Sequence, residues 1–355
     1  MMQPVQTAIL GVTGYAGAEL ARLLLRHPRL KNAPPVFAGR VDVEDAARGG
    51  VPLIEIHPQL GNNNGVRSLK LQPFSWDLLK DSGVEILFLA TPHEQSRDLT
   101  PEALHRGLRV IDLSGAWRLT DAAHRAVYKF KDEGSTLAAQ IQAKAVYGMP
   151  ELHRSAIAGA RLVANPGCYS TSVILALRPL IAAGLVDLSH GIVVDSKSGV
   201  SGAGKAPTVK THFMYAADNL SAYGVFSHRH TGELLEQIGL RADQIVFAPH
   251  LLPIPRGILS TLYVQFHEPQ TRESIAHTYH AFFAGSPMVR LYDDALPQIQ
   301  YSVRTNYADI GFQLSSDGRR AVIVSCLDNL LKGASGQAVQ NLNIMLGWGE
   351  AEGLE

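Results

Sequence analysis

The chain has 355 residues, 46% of them hydrophobic and 18% charged, and its 32 lysines and arginines are balanced by 32 aspartates and glutamates. At roughly 150 residues per domain, this predicts two domains with sizeable cores and excludes a small fold that needs staples. A formal net charge of zero argues against nucleic-acid or anionic-membrane partners, which are held by clustered cations. The two cysteines, Cys168 and Cys326, stand far apart behind no basic-then-apolar leader, so a reducing, cytoplasmic setting is expected. No apolar run approaches the roughly 20 residues that cross a bilayer.

In chain order, Val5 to Leu10 is a short apolar run, and Leu20, Leu23 and Leu24 then repeat at helical spacing, which predicts strand, turn and helix. The turn, Gly11-Val12-Thr13-Gly14-Tyr15-Ala16-Gly17, leaves backbone N–H groups and the positive end of a helix dipole facing the strand's carboxyl edge. Such a place suits a pyrophosphate. The spacing is GxxGxxG rather than the stricter GxGxxG, and tight packing alone also explains three glycines. The next strand, Pro35 to Ala38, ends in Gly39-Arg40, about 20 residues on, where a dinucleotide fold reads the ribose. Arg40 there favours the 2′-phosphate of NADP; read as a solvated loop residue followed by Asp42, it leaves NAD open. A polar loop spans Gly61 to Gly65. Val84 to Ala90 and Leu108 to Leu113 read as strands buried on both faces, each after a helix, which predicts a parallel sheet.

Asn165-Pro166-Gly167-Cys168-Tyr169-Ser170-Thr171 follows the apolar stretch Leu162 to Ala164 and leads into a helical pattern. Cys168 is therefore expected at a helix N-terminus, where the dipole favours thiolate and free N–H groups can receive an oxyanion. An ordinary buried cysteine is the competing reading, but Gly167 and the polar Ser170 and Thr171 speak against it. Cys326, inside the apolar run Ala321 to Leu327, reads as core. Ile192 to Asp195, Gln244 to Ala248, Ile258 to Phe266 and Ala321 to Cys326 form a second strand set, less regularly interrupted by helices, which predicts a mixed sheet in a separate domain.

Ser198-Gly199-Val200-Ser201-Gly202-Ala203-Gly204-Lys205 nearly matches the GxxxxGK loop of a nucleoside triphosphatase. Ala206, however, stands where a hydroxyl must ligate magnesium. The segment still suits an anion or a cofactor. His228-Arg229-His230, with Thr231 as a helix cap, is the best source of a base for a thiol among 14 histidines. Two histidines so spaced also suit a metal, yet no further ligand is spaced to join them, and no metal is expected. Ala334 to Leu346 reads as a last helix with Ala338, Leu342 and Met345 on one face.

In order and spacing these segments resemble the N-acetyl-gamma-glutamyl-phosphate reductase family, the NADP-dependent semialdehyde dehydrogenases of arginine biosynthesis. The resemblance runs nearly end to end. It takes in Gly11 to Gly17 with Glu19-Leu20, Thr91-Pro92-His93, Asp112-Leu113-Ser114 with Arg118-Leu119, Tyr147 to Leu152 and Asn165 to Thr171. It continues through Ser198 to Gly204, His228 to Thr231 with Glu233, Pro253 with Arg256 to Leu259, and Asp328-Asn329-Leu330 with Lys332-Gly333-Ala334. Departures are Ser170 for Pro or Ala, Ser172 for Ala or Gly, Gly232 for Pro, and Ala116-Trp117 for Asp-Phe.

The resemblance implies an α/β protein: a Rossmann-type parallel-sheet dinucleotide-binding domain over residues 1–164 and 333–355, and an α+β catalytic and oligomerisation domain like that of glyceraldehyde-3-phosphate dehydrogenase over 165–332. It implies Cys168 as the nucleophile, His228 as acid and base with His230 second, and NADP(H) held by Gly11, Thr13, Gly14, Tyr15, Ala16, Gly17, Arg40, Ser198, Gly199, Gly202 and Asn329. The small-molecule acyl phosphate substrate is expected to meet Asn165, Ser201 and two cations, Arg118 and Arg256, either of which also reads as a structural ion-pair partner. A homodimer or homotetramer is expected. An amino-adipyl phosphate reductase of lysine biosynthesis and a non-catalytic NADP-binding regulator are the alternatives on the same scaffold.

Overall fold

The computed structural model describes residues 5–61 and 65–355; residues 62–64 of the polar loop, and residues 1–4 at the start of the first expected domain, lie outside them. Among the described residues the apolar runs assemble into two sheets. The first holds β1 (Thr7–Leu10), β2 (Val36–Gly39), β3 (Val51–Pro52), β4 (Lys70–Pro73), β5 (Ile86–Leu89), β6 (Arg109–Asp112), β7 (Ala145–Tyr147) and β8 (Leu162–Ala164) in the order β3-β4-β2-β1-β5-β6-β8-β7. All its pairings are parallel except β3 with β4. β1 and β5 are buried at every residue, as expected of strands covered by helices on both faces.

The second sheet runs β10-β11-β9-β12-β15-β14-β13, with β9 (Ile192–Gly199), β10 (Ser221–Ala222), β11 (Ile245–Leu252), β12 (Ile258–Gln265), β13 (Val289–Tyr292), β14 (Ala308–Leu314) and β15 (Arg320–Leu327). It is mixed: β9 pairs parallel with β11 and antiparallel with β12. Burial alternates along β9, β11 and β12, so one face is core and the other is open.

Five helices place the chemistry. α1 (Tyr15–Arg26) follows β1, and α2 (His93–His105) follows β5. α3 (Cys168–Ala182) packs on the inner face of the second sheet, sharing a core with Ile192 and Val194 of β9, Leu262 of β12 and Ile323 of β15. α4 (Thr231–Ile238) lies against α3. The last helix, expected over Ala334 to Leu346, opens earlier, as a π turn over Leu331–Ser335, and continues as α5 (Gly336–Met345). Ala338, Val339 and Leu342 of α5 join the core of Ile9, Val12 and Leu20, so this helix returns to the first sheet.

Candidate active site

The carboxyl ends of β1, β5, β6 and β8 deliver the turns at residues 11–17, 90–93, 113–115 and 165–168 to one edge of the parallel sheet, where open α/β folds bind ligands. They border a cleft of about 350 Å³, closed from the other side by the loop of Ser201 and Lys205, by Arg229 and His230, and by Asn329, Leu330, Gly333 and Ala334. Gly14, Tyr15, Ala16 and Gly17 border it. Helix geometry leaves the first amides of α1 without intrahelical partners, and Ala18 is the residue whose N–H returns to the Gly14 carbonyl, at 2.9 Å. The amides of Tyr15, Ala16 and Gly17 therefore fit the phosphates of a dinucleotide.

Gly11 does not border the cleft. Its φ is +92°, and a Cβ there would strike the Ala90 carbonyl, so it spaces β1 from β5. Thr13 lies at the rim, exposed, its carbonyl accepting from Lys205 Nζ at 3.2 Å. Arg40 is exposed just past β2, and its guanidinium makes no ion pair or hydrogen bond among the described residues.

Cys168 is the first residue of α3, behind the N-cap Gly167. It borders both the cleft and a second cavity of about 280 Å³ shared with Ser198, Lys210, Tyr223, His228 and His230. A Cβ on Gly167 would enter the His230 ring, and one on Gly333, in the π turn, would lie 2.7 Å from the Cys168 Cβ. Only glycines allow these approaches. The expectation of a resting thiolate is corrected: burial pushes the thiol up to about 11, against the Tyr169 N–H and Arg118, which favour the anion. Burial and Arg229 hold His228 down to about 4. Burial, His228 and Arg118 hold His230 well below the usual range. Both directions favour the neutral forms, thiol and imidazole. The two histidines differ in place: His230 lies against the Gly167 turn and borders both cavities, while His228 borders the second alone. The two rings meet edge to face at 4.7 Å, and His228 Nδ1 accepts from the His230 amide at 3.1 Å. Thr231 does not cap α4; His230 occupies that position, and the Thr231 hydroxyl has no partner among the described residues.

Arg118 borders the cleft, yet its guanidinium donates to the carbonyls of Asn165 (2.7 Å) and Leu113 (2.8 Å) and to Glu233 (3.2 Å). Asn165, expected at the substrate, is fully buried and outside both cavities. Its amide donates to the Ala334 carbonyl at 2.9 Å and accepts from Asn341 at 3.0 Å, so it ties the nucleophile turn to the π turn and α5. Arg256 is likewise committed elsewhere, donating to Glu19 (2.8 Å) and Asp328 (3.0 Å). Gly199 is a spacing residue: a Cβ would lie 2.7 Å from the Arg256 amide. Ser201, Gly202 and Asn329 border the cleft, with Asn329 donating to Ser201 at 2.9 Å and accepting from the Gly257 amide at 2.8 Å.

Sequence reasoning left three cleft residues without roles. Arg229 borders both cavities, Lys205 bridges to the glycine turn, and His93 stands 3.5 Å from Arg229. Glu233, with no exposed surface, accepts from the Gly167 amide at 2.9 Å. Its spacing of three from His230 puts it on the same side of the helix start, which is the available signal. Among the described residues no group of three or more potential metal ligands is gathered.

Residues 6–160 match the family model described as the NAD binding domain of semialdehyde dehydrogenases, and residues 168–329 match the one described as their dimerisation domain. The chain is 40% identical to N-acetyl-gamma-glutamyl-phosphate reductase of Methanocaldococcus jannaschii over 98% of this chain and 97% of that protein. It is 41% identical to the protein of the same name in Dehalococcoides mccartyi, over 100% and 98%. Among solved structures, aspartate semialdehyde dehydrogenase II of Vibrio cholerae shares the fold with a TM-score of 0.69 at 18% identity, covering 97% of this chain and 99% of that one. The chain belongs to the N-acetyl-gamma-glutamyl-phosphate reductase family of semialdehyde dehydrogenases.

Proposed function

We propose that this chain reduces N-acetyl-gamma-glutamyl phosphate to N-acetylglutamate semialdehyde and phosphate with NADPH, through a thioester on Cys168, in cytoplasmic arginine biosynthesis. The observation that carries the reading is the position of Cys168 at the junction of two cavities, one bordered by the glycine turn and the other by Ser198, Lys210 and Tyr223. The names of the curated relatives supply the substrate. In this reading residues 1–164 and 333–355 hold the dinucleotide, residues 165–332 carry the chemistry and the contact between copies, and the assembly is a dimer or a tetramer.

The amides of Tyr15 to Gly17 would hold the pyrophosphate, and Ser201, Gly202 and Asn329 would border the cofactor's reacting end. NADPH, when bound, supplies a hydride. The chain's own groups do the rest. His230 takes the thiol proton as sulfur approaches the acyl carbon; the C–S bond forms, the C–O bond to phosphorus breaks, and phosphate leaves. The Cys168 and Tyr169 amides at the start of α3 face the developing oxyanion. When the reduced adduct collapses, C=O re-forms, the C–S bond breaks, and the imidazolium returns its proton to sulfur.

Reduction of NADP in the presence of N-acetylglutamate semialdehyde plus phosphate tests substrate, cofactor and reaction type together. Phosphate-dependent turnover is expected, and its absence overturns the reading. Arg40 is the cofactor discriminator in this scheme. A charge-assisted contact to the 2′-phosphate contributes about 1.5–3 kcal/mol, so Arg40→Ala should weaken NADP about tenfold or more and leave NAD unchanged; equal losses for both cofactors would make Arg40 structural.

A further inference from the structure

Glu233 is a buried carboxylate that meets three parts of the chain beneath the nucleophile. One oxygen, Oε2, accepts from the Gly167 amide at 2.9 Å and from the Tyr147 hydroxyl at 2.7 Å. The other, Oε1, accepts from Arg118 Nη1 at 3.2 Å and lies 4.0 Å from His230 Nε2. An unpaired carboxylate at 0% exposure would carry a large desolvation penalty, and this one is fully partnered. α4 is thereby fixed to β7 and to the turn between β8 and α3. The titratable and charged groups that face it are Arg118, Tyr128 and Tyr147 on the side of the parallel sheet and Cys168 and His230 on the other; Asp112 acts in turn on Arg118, and His228 and Arg229 on His230.

We propose that Glu233 is a positioning residue for the thiol and imidazole: it fixes the Gly167 turn and stands toward the imidazolium while Arg118 stands toward the thiolate, as the two charges form together. The inference rests on the proposed thioester chemistry. An ion pair already present in the site is a preorganised dipole, and it costs no reorganisation when the proton moves from sulfur to nitrogen. The opposed influences on Cys168 agree with this division, since Arg118 favours the thiolate and Glu233 disfavours it.

The test compares Glu233→Gln and Glu233→Asp by two readings: kcat, and the pH profile of iodoacetamide modification at the Cys168 peptide. Glutamine keeps an acceptor for the Gly167 amide but removes the negative charge. The thiolate then faces Arg118 without its counter-charge, so modification should move to lower pH. Turnover should nevertheless fall about tenfold or more, because the acid–base group loses its support. A merely structural Glu233 would leave the profile of the folded protein in place. Aspartate keeps the charge one methylene further back; its profile should match wild type, with kcat between those of wild type and Gln. A wild-type profile and wild-type kcat in Glu233→Gln overturn the proposal. If Gln at this position does not fold, Asp decides alone, and full wild-type turnover in Glu233→Asp overturns it. Absence of turnover in the wild-type protein would sink the proposed reaction instead, while the modification profile still reads the influence of Glu233.

Discussion

Cys168 and Cys326 are both free thiols, and their surroundings give them different chemistry. Cys326 sits in β15 with no exposed surface, and burial together with Asp309 pushes it up to about 12. Cys168, pushed up to about 11, has two cavities before it and an imidazole beside its turn. Cys168→Ser should therefore abolish turnover in a folded protein. Cys326→Ser should keep turnover and lose about 1–3 kcal/mol of stability in urea unfolding, the usual cost of a buried hydroxyl without a full set of partners. Because burial favours the neutral thiol, modification of wild-type Cys168 should rise only above the ordinary thiol midpoint near pH 8.5. A profile that is already saturated at about pH 7 would show that the neutral pair is wrong. Cys168 was legible as a candidate nucleophile because a glycine-cysteine turn before a helix is chemically unusual, and the two histidines were legible as candidate bases. Asn165, Arg118 and Arg256 were legible as types only. An amide or a guanidinium serves a ligand and a carbonyl equally well, and packing assigns all three to protein partners. Two departures from the family pattern likewise find partners: Ser172 joins a buried hydroxyl cluster with Ser260 at 2.9 Å and Ser325 at 3.1 Å, and Trp117 donates to Thr100 at 3.0 Å.

At the scale of elements, the apolar stretches in β1, β5, β6, β12 and β15 and in the first half of β9 were readable, whereas β14 was not. Its Asp309 and Gly311 are residue types that strands disfavour. Here Arg290 of the neighbouring β13 pairs with Asp309 at 2.6 Å, and Gly311 has no room for a Cβ, which would lie 2.5 Å from the Ala295 carbonyl. Long-range partners rescue a pattern that local propensity rejects. The π turn was hidden for a similar reason: its Lys332 looks like a surface residue yet is fully buried. Lys332 Nζ donates to Glu151 at 2.6 Å and to Gln340 at 2.7 Å. Burial raises the Glu151 pKa, but Lys332 and the hydrogen bonds outweigh it and hold the carboxyl below its usual range. Lys332→Met should destabilise the protein by about 3–5 kcal/mol near neutral pH, because it leaves a buried carboxylate unpaired. Adding Glu151→Met should recover most of that loss. A single Lys332→Met variant within about 1 kcal/mol of wild type in equilibrium unfolding would show that the pair does not hold the turn.

At the scale of the molecule, the mixed sheet is covered on one side only among the described residues. α3 fills its inner face, while Val193, Val246 and Tyr263 on β9, β11 and β12 stand 45%, 38% and 46% exposed on the other. The segment between β9 and β11 adds Phe213, Met214 and Phe226, each at least 75% exposed. Large exposed apolar side chains in such number are a mark of interaction surfaces, and this region matches the dimerisation domain of the family. A two-fold axis through the open sheet face would cover the same residues on both copies, so any charge placed there meets its own image. Val193→Asp combined with Tyr263→Asp puts like charges opposite one another in a desolvated contact. Each unpaired buried charge costs several kcal/mol, which weakens association by about a hundredfold or more. Sedimentation at micromolar concentration should then give half the wild-type mass, with the fold retained by circular dichroism. An unchanged mass would place the contact elsewhere, and the same measurement on Phe213→Asp would then decide whether the segment between β9 and β11 carries it. That segment also contributes Thr208, Lys210, Thr211 and Tyr223 to the wall of the Cys168 cavity. Phe213→Asp is thus expected to lower turnover more than the sheet-face variant, since Phe213 follows directly on Thr208, Lys210 and Thr211 of the cavity wall, whereas neither Val193 nor Tyr263 borders a cavity.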